Sequence, residues 1–239
     1  RFLSFEGFLL LLTIFIVGSK LVFIYKYSDK PFVSLIIYFS SVYIVYDFGV
    51  IREAIALAIG IWSYKYFFEK RYLNAFIIVA IASIFHFSGL MFLTLAFIDK
   101  KPMRLWKYFL LLAIGILGSF LPLVNIVGKG LGAIGLGGYA IRIEYYAMGI
   151  IMSKQQIYLS IIKRACIWLA GILIFWANKN RKNTNVDYED NINYYSNVFY
   201  ISIIMALFFV SIPNIAARGI HGLIMSNMFL YPLFVKSIQ

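Results

Sequence analysis

Apolar residues run almost unbroken along this chain, and polar residues fall into the short gaps between the runs. Eight stretches read as helical spans: 8–25, 32–46, 50–68, 73–98, 108–127, 165–177, 194–212 and 220–235. A helix needs about 20 residues to cross ~30 Å of hydrocarbon. Several runs fall short of that, so their existence is better determined than their ends.

The gaps are of two kinds. One kind is basic: Lys26 and Lys30, then Lys65, Lys70 and Arg71, then Lys100, Lys101, Arg104 and Lys107, then Lys179, Arg181 and Lys182, and finally Lys236. The other kind is short or glycine-rich and carries isolated charges: 47–53, 128–154 and 213–221. Lysine and arginine are retained in cytoplasmic loops, which places the first kind inside and the second outside. Alternation fails once. The run 73–98 has basic gaps at both ends, so it enters and leaves on one side. Its middle reads Phe85-His86-Phe87-Ser88-Gly89. These two facts predict a helical hairpin that turns at His86, its apex toward the outer half of the membrane. Non-helical backbone at that depth is tolerated only inside protein or beside a wet cavity. The alternative is one straight, tilted helix with His86 packed in the bundle.

Composition agrees with this map. The chain is 62% hydrophobic and 13% charged, with a mean hydropathy of +0.85. That is the balance of an all-α, polytopic integral membrane protein, here about seven spans plus the hairpin, in a single transmembrane domain. Residues 128–154 then form a glycine-rich extracytoplasmic loop, and 178–193 a cytoplasmic one. The net charge of +12 belongs to the inner loops and implies no nucleic-acid partner. A single cysteine, Cys166, excludes an intrachain disulfide framework. The chain starts outside without a signal peptide, so at least one upstream span is expected to be missing.

In such a chain every intramembrane ionisable residue is a site candidate, because burying it is costly. Arg52 and Glu53 open the third span just after Asp47. An outward helix N-terminus with an arginine suits an anion; the alternative is a local Asp47–Arg52 pair that caps the helix. His86 stands at the expected hairpin apex. Arg218 and His221 are three apart and would share a helix face. Arg142 and Glu144 follow the glycine-rich stretch. Gly130 to Gly135 fits G-x-G-x-x-G, but no strand precedes it, so a dinucleotide site is rejected. Lys20, near the inner end of its run, reads as snorkelling to the interface, and the aromatic residues of 64–72 as an interfacial belt. No Cys or carboxylate lies at ligand spacing from His86 or His221, so neither a metal nor a cofactor is expected. The arginines Arg52, Arg142 and Arg218 at the outer face point to an anionic substrate such as a diphosphate.

The segments Glu6-Gly7-Phe8, Ile51-Arg52-Glu53-Ala54-Ile55-Ala56 and Phe85-His86-Phe87-Ser88-Gly89-Leu90 together resemble the EpsG family, Wzy-like polymerases of bacterial exopolysaccharide, capsule and O-antigen. The resemblance is clearest over 6–99, and Arg218 matches a late arginine of the pattern. Glu53 stands where the pattern has glutamine, and Gly89 where it has alanine. The resemblance implies a GT-C-like membrane bundle in the bacterial cytoplasmic membrane. It also implies metal-independent glycosyl transfer at the outer face, joining oligosaccharide repeat units carried on undecaprenyl diphosphate. Arg52, His86 and Glu53 would be catalytic, with His86 or Glu53 acting on the acceptor hydroxyl. Arg218, Arg142, His221 and Asp47 would bind substrate. Implied partners are membrane lipids, a chain-length regulator and a flippase. Two other functions compete: a membrane O-acyltransferase that modifies a surface glycan, and a transporter or flippase of lipid-linked sugar. The first needs an acyl-donor site open to the cytoplasm, and the second paired halves; neither is visible in the sequence.

Overall fold

The computed structural model describes residues 4–47, 50–135, 138, 141, 154–179, 186–216 and 220–238. Every regular element among them is helical. In order they are α1 (Phe5–Tyr27), α2 (Pro31–Tyr38), a π-helical segment (Phe39–Asp47), α3 (Ile51–Gly60), α4 (Ser63–Phe68), α5 (Tyr72–Phe85), a 3-10 helix (Phe87–Phe97), α6 (Leu105–Phe120), α7 (Leu123–Ala133), α8 (Lys154–Lys179), α9 (Val186–Phe208), α10 (His221–Ile224) and α11 (Asn227–Ile238). The chain falls into two compact units. One comprises 1–102, 171–198 and 221–239; the other comprises 103–170 and 199–220.

The first unit is built on α1. Ser4 caps it by accepting the Gly7 N–H at 3.2 Å, and Glu6 and Lys26 match the two ends of its dipole. Among the described residues, α1 is the one helix long and apolar enough to cross a membrane unaided. The runs 32–46, 50–68, 73–98, 108–127 and 220–235 resolve into shorter, interrupted helices, whereas α8 and α9 are 26 and 23 residues long, so the count of seven stays a reading of the hydropathy. Ile16 of α1 packs on Ala54, Ile55 and Ala58. The Ser19 hydroxyl donates to Ala58 O at 2.8 Å and accepts from Trp62 Nε1 at 2.9 Å. Successive contacts therefore climb both elements together, and α1 runs parallel to α3 and α4. The third run breaks at Ile61-Trp62, between α3 and α4.

A turn through Lys70, the one described non-glycine residue with positive φ (59°), sends α5 back along α3. Then the chain turns again. His86 is extended (φ −158°, ψ 142°), and the following 3-10 helix packs on α5. A Cβ on Gly89 would come within 2.7 Å of the Ser83 nitrogen, so only glycine permits this close return. At the other end, Lys100 Nζ lies 3.8 Å from the centre of the Phe68 ring, while the neighbouring Phe67 meets the ring of Tyr72. Entry and exit of the run thus lie together, and the straight-helix alternative is excluded. The legs also match. Fourteen α-helical residues rise about 21 Å, and eleven 3-10 residues about 22 Å; neither alone crosses ~30 Å.

Packing behind the hairpin depends on small residues. The Phe92 ring fills the places a Cβ would take on Gly60 and Gly222. Tyr64 is wholly buried and its hydroxyl donates to Gly222 O at 2.7 Å, so it belongs to the core and not to an interfacial belt. Ser34 of α2 donates to Met228 O of α11. Asn197 Nδ2 donates to Asp99 O at 3.1 Å and Lys101 O at 3.0 Å, fixing the hairpin's exit.

In the second unit the run 108–127 is divided between two helices. α6 and α7 bend by 76° at Leu121-Pro122, where the proline ring removes an amide donor. Gly118 lies under the Phe208 ring, and Tyr200 donates to Tyr108 O at 2.6 Å. Both expected loops shrink: α7 carries helix through Ala133, α8 starts at Lys154, and α9 starts at Val186.

Candidate functional site

Glu53 lies in the first turn of α3, and His221 is the first residue of α10. Both side chains are buried, and His221 Nδ1 lies 3.0 Å from Glu53 Oε1 across 168 residues of sequence. The second carboxylate oxygen, Oε2, is buried without a hydrogen-bond partner among the described residues. A buried carboxylate oxygen left unmet is costly, and such groups concentrate where a ligand completes the bonding. The sequence named both residues, Glu53 as catalytic and His221 as a substrate contact; it did not pair them.

A second buried cluster lies beside the first. Asp47, at the end of the π-helical segment, accepts from Lys20 of α1 and, at 2.5 Å, from the Tyr38 hydroxyl. The Lys20 and Asp47 side chains are almost wholly shielded from solvent. This corrects two expectations. Lys20 does not snorkel to the inner interface but reaches into the bundle. The partner of Asp47 is Lys20 and Tyr38, not Arg52. The sequence did carry a signal for this, a lysine well inside an apolar run, where a buried charge requires a partner.

His86 is half-buried at the hairpin apex. Its Nδ1 accepts the Ser88 backbone N–H at 3.3 Å, lies 2.8 Å from the Ser88 hydroxyl, and so caps the 3-10 helix. Arg52 is exposed, on the face of α3 turned away from Glu53's buried side. Because α3 and α5 pack antiparallel, Arg52, Glu53 and His86 lie at the same end of the first unit, opposite the Lys65–Tyr72 turn. Arg142 and Arg218, with Glu144, lie outside the described residues.

A helical protein with a buried carboxylate–imidazole pair, and an exposed arginine at the same end, is a candidate for proton-transfer chemistry. The sequence pattern of the EpsG family matches residues 2–239, and the chain belongs to that family. Membership marks it as a membrane protein of polysaccharide biosynthesis with a polymerase-like, glycosyltransferase-like function. No curated protein and no solved structure matches it.

Proposed function

We propose that this chain is a polysaccharide polymerase of the bacterial cytoplasmic membrane. It joins oligosaccharide repeat units carried on undecaprenyl diphosphate at the outer face of that membrane. The observation that carries this reading, beside family membership, is the buried Glu53–His221 pair at the same end as Arg52 and His86. A lipid diphosphate is a good leaving group, and the charge that develops on it calls for guanidinium and N–H donors; Arg52, Arg142 and Arg218 supply the first kind. The acceptor hydroxyl calls for a base, which the pair supplies. Asp47 then acts at one remove, holding the segment before α3 through Lys20 and Tyr38.

The test is deletion of the gene in its native host, followed by sizing of the surface glycan. Loss of long chains with a single repeat unit retained is the expected result. Full-length glycan lacking only an acyl group would establish the acyltransferase instead. Loss of all surface glycan, with lipid-linked units held inside, would establish the flippase. At equal protein level, Arg52→Lys should abolish long chains, because lysine keeps the charge but lacks the planar fork that bridges two phosphate oxygens.

A further inference from the structure

The chain has two histidines, and the structure gives their ring nitrogens opposite surroundings. A backbone amide can only donate. The Ser88 N–H therefore meets an unprotonated Nδ1 on His86, and the proton of the neutral ring sits on Nε2. Protonating Nδ1 would also uncap the 3-10 helix. His221 is the mirror case. A carboxylate can only accept, and opposite a carboxylate His221 carries its proton on Nδ1, toward Glu53 Oε1 at 3.0 Å, which leaves the lone pair on Nε2.

We infer that the two histidines divide the chemistry: His221 is the base, oriented by Glu53, and His86 is a hydrogen-bond donor to the leaving diphosphate. This rests on the polymerase reading and deepens it. It also reassigns His86, whose basic nitrogen is already occupied by its own helix cap. In the reaction, the acceptor oxygen bonds to the anomeric carbon of the donor sugar as the bond from that carbon to the diphosphate oxygen breaks. The electron pair of the broken bond leaves with the diphosphate, toward the Nε2–H of His86. The acceptor's proton passes to Nε2 of His221 and from there to water. Nothing is oxidised or reduced. The competing account makes Glu53–His221 a strut joining distant segments. A strut is indifferent to which nitrogen holds the lone pair, and an apolar pair of similar volume replaces it.

Two measurements separate these accounts. Histidine-specific ¹⁵N labelling of the full chain in nanodiscs yields two imidazoles, assigned with His86→Gln. The expected spectrum at neutral pH shows His221 protonated at Nδ1 and bare at Nε2, and His86 the reverse; any other pattern overturns the assignment. The second measurement is elongation of the lipid-diphosphate-linked repeat unit extracted from cells lacking this gene. The amide of the His86→Gln variant still offers an N–H donor, so activity should stay within about tenfold of wild type, whereas His86→Ala loses about 10²–10³-fold, the usual cost of one such donor. His221→Gln has no base and should lose about 10²–10⁴-fold, as should His221→Ala. An unchanged His86 signal in the His221→Gln protein shows that its fold is intact. Activity retained by His221→Gln, or equal loss in His86→Gln and His86→Ala, overturns the division of roles. If the wild-type chain fails to elongate the extracted unit, the polymerase reading falls and the catalytic roles fall with it, while the tautomers are still decided by the spectrum.

Discussion

The two ends of the first unit handle charge in opposite ways. At the end with the Lys65–Tyr72 turn, charges are numerous and partly exposed. Lys65 and Arg71 flank Glu69 at 3.8 and 3.4 Å, and Lys236 meets Asp29 at 2.7 Å. Asp29, Lys65 and Glu69 line a cavity of about 280 Å³ that Tyr27 and Tyr195 help to wall. Toward the other end, apart from the exposed Arg52, the pairs are enclosed: Lys20 with Asp47, and Glu53 with His221. Water takes over from either partner of an exposed pair, so losing one costs little. A buried partner left alone has no such refuge. Exposure thus separates pairs that water can replace from pairs that depend on each other.

The sharpest way to break this contrast is Glu53→Leu. It removes the acceptor that orients His221 while keeping an apolar side chain at a buried position. Polymer formation should fall about 10²–10⁴-fold with protein level retained, as measured by glycan length against immunoblot. Unaltered chain length would make the pair a strut. Next in size is Lys20→Met, which strands Asp47 in the bundle. It should cost about 3–5 kcal/mol, read from thermal unfolding in detergent, and Lys20→Met combined with Asp47→Leu should recover most of that loss. A double variant no better than the single one would show that the charges, and not their pairing, matter. Gly222→Ala is smaller: its Cβ would lie 2.9 Å from the Phe92 ring. Overpacking of this kind costs about 1–3 kcal/mol, and Phe92→Leu in the same chain should relieve it. The smallest effect belongs to the exposed end. Lys236→Ala should change stability by less than about 1 kcal/mol, and less still at high salt. A loss as large as that of Lys20→Met would end the comparison.

The sequence by itself determined the helical class, the membrane setting and the hairpin at His86. Hydropathy and loop charge are local properties, and a run with basic gaps at both ends has one consistent path. It also singled out Glu53, His86, His221 and Asp47, since ionisable residues in apolar surroundings are conspicuous wherever they fall. Only the tertiary structure decided their partners. Glu53 and His221 are 168 residues apart, and no pattern along the chain joins them. Lys20 was misread because its distance from the end of a run does not reveal which way a long side chain extends. Tyr64 was misread because belt and core tyrosines look alike until a carbonyl such as Gly222 O is placed beside the hydroxyl. The break at Leu121-Pro122 has a local cause in the proline, whereas the one at Ile61-Trp62 falls inside a continuous apolar run and only the structure shows it. The choice between base and donor lies deeper still. For His221 the carboxylate that faces Nδ1 comes from 168 residues away and only the tertiary structure supplies it, whereas for His86 the amide belongs to Ser88, two residues on, and the local turn supplies it.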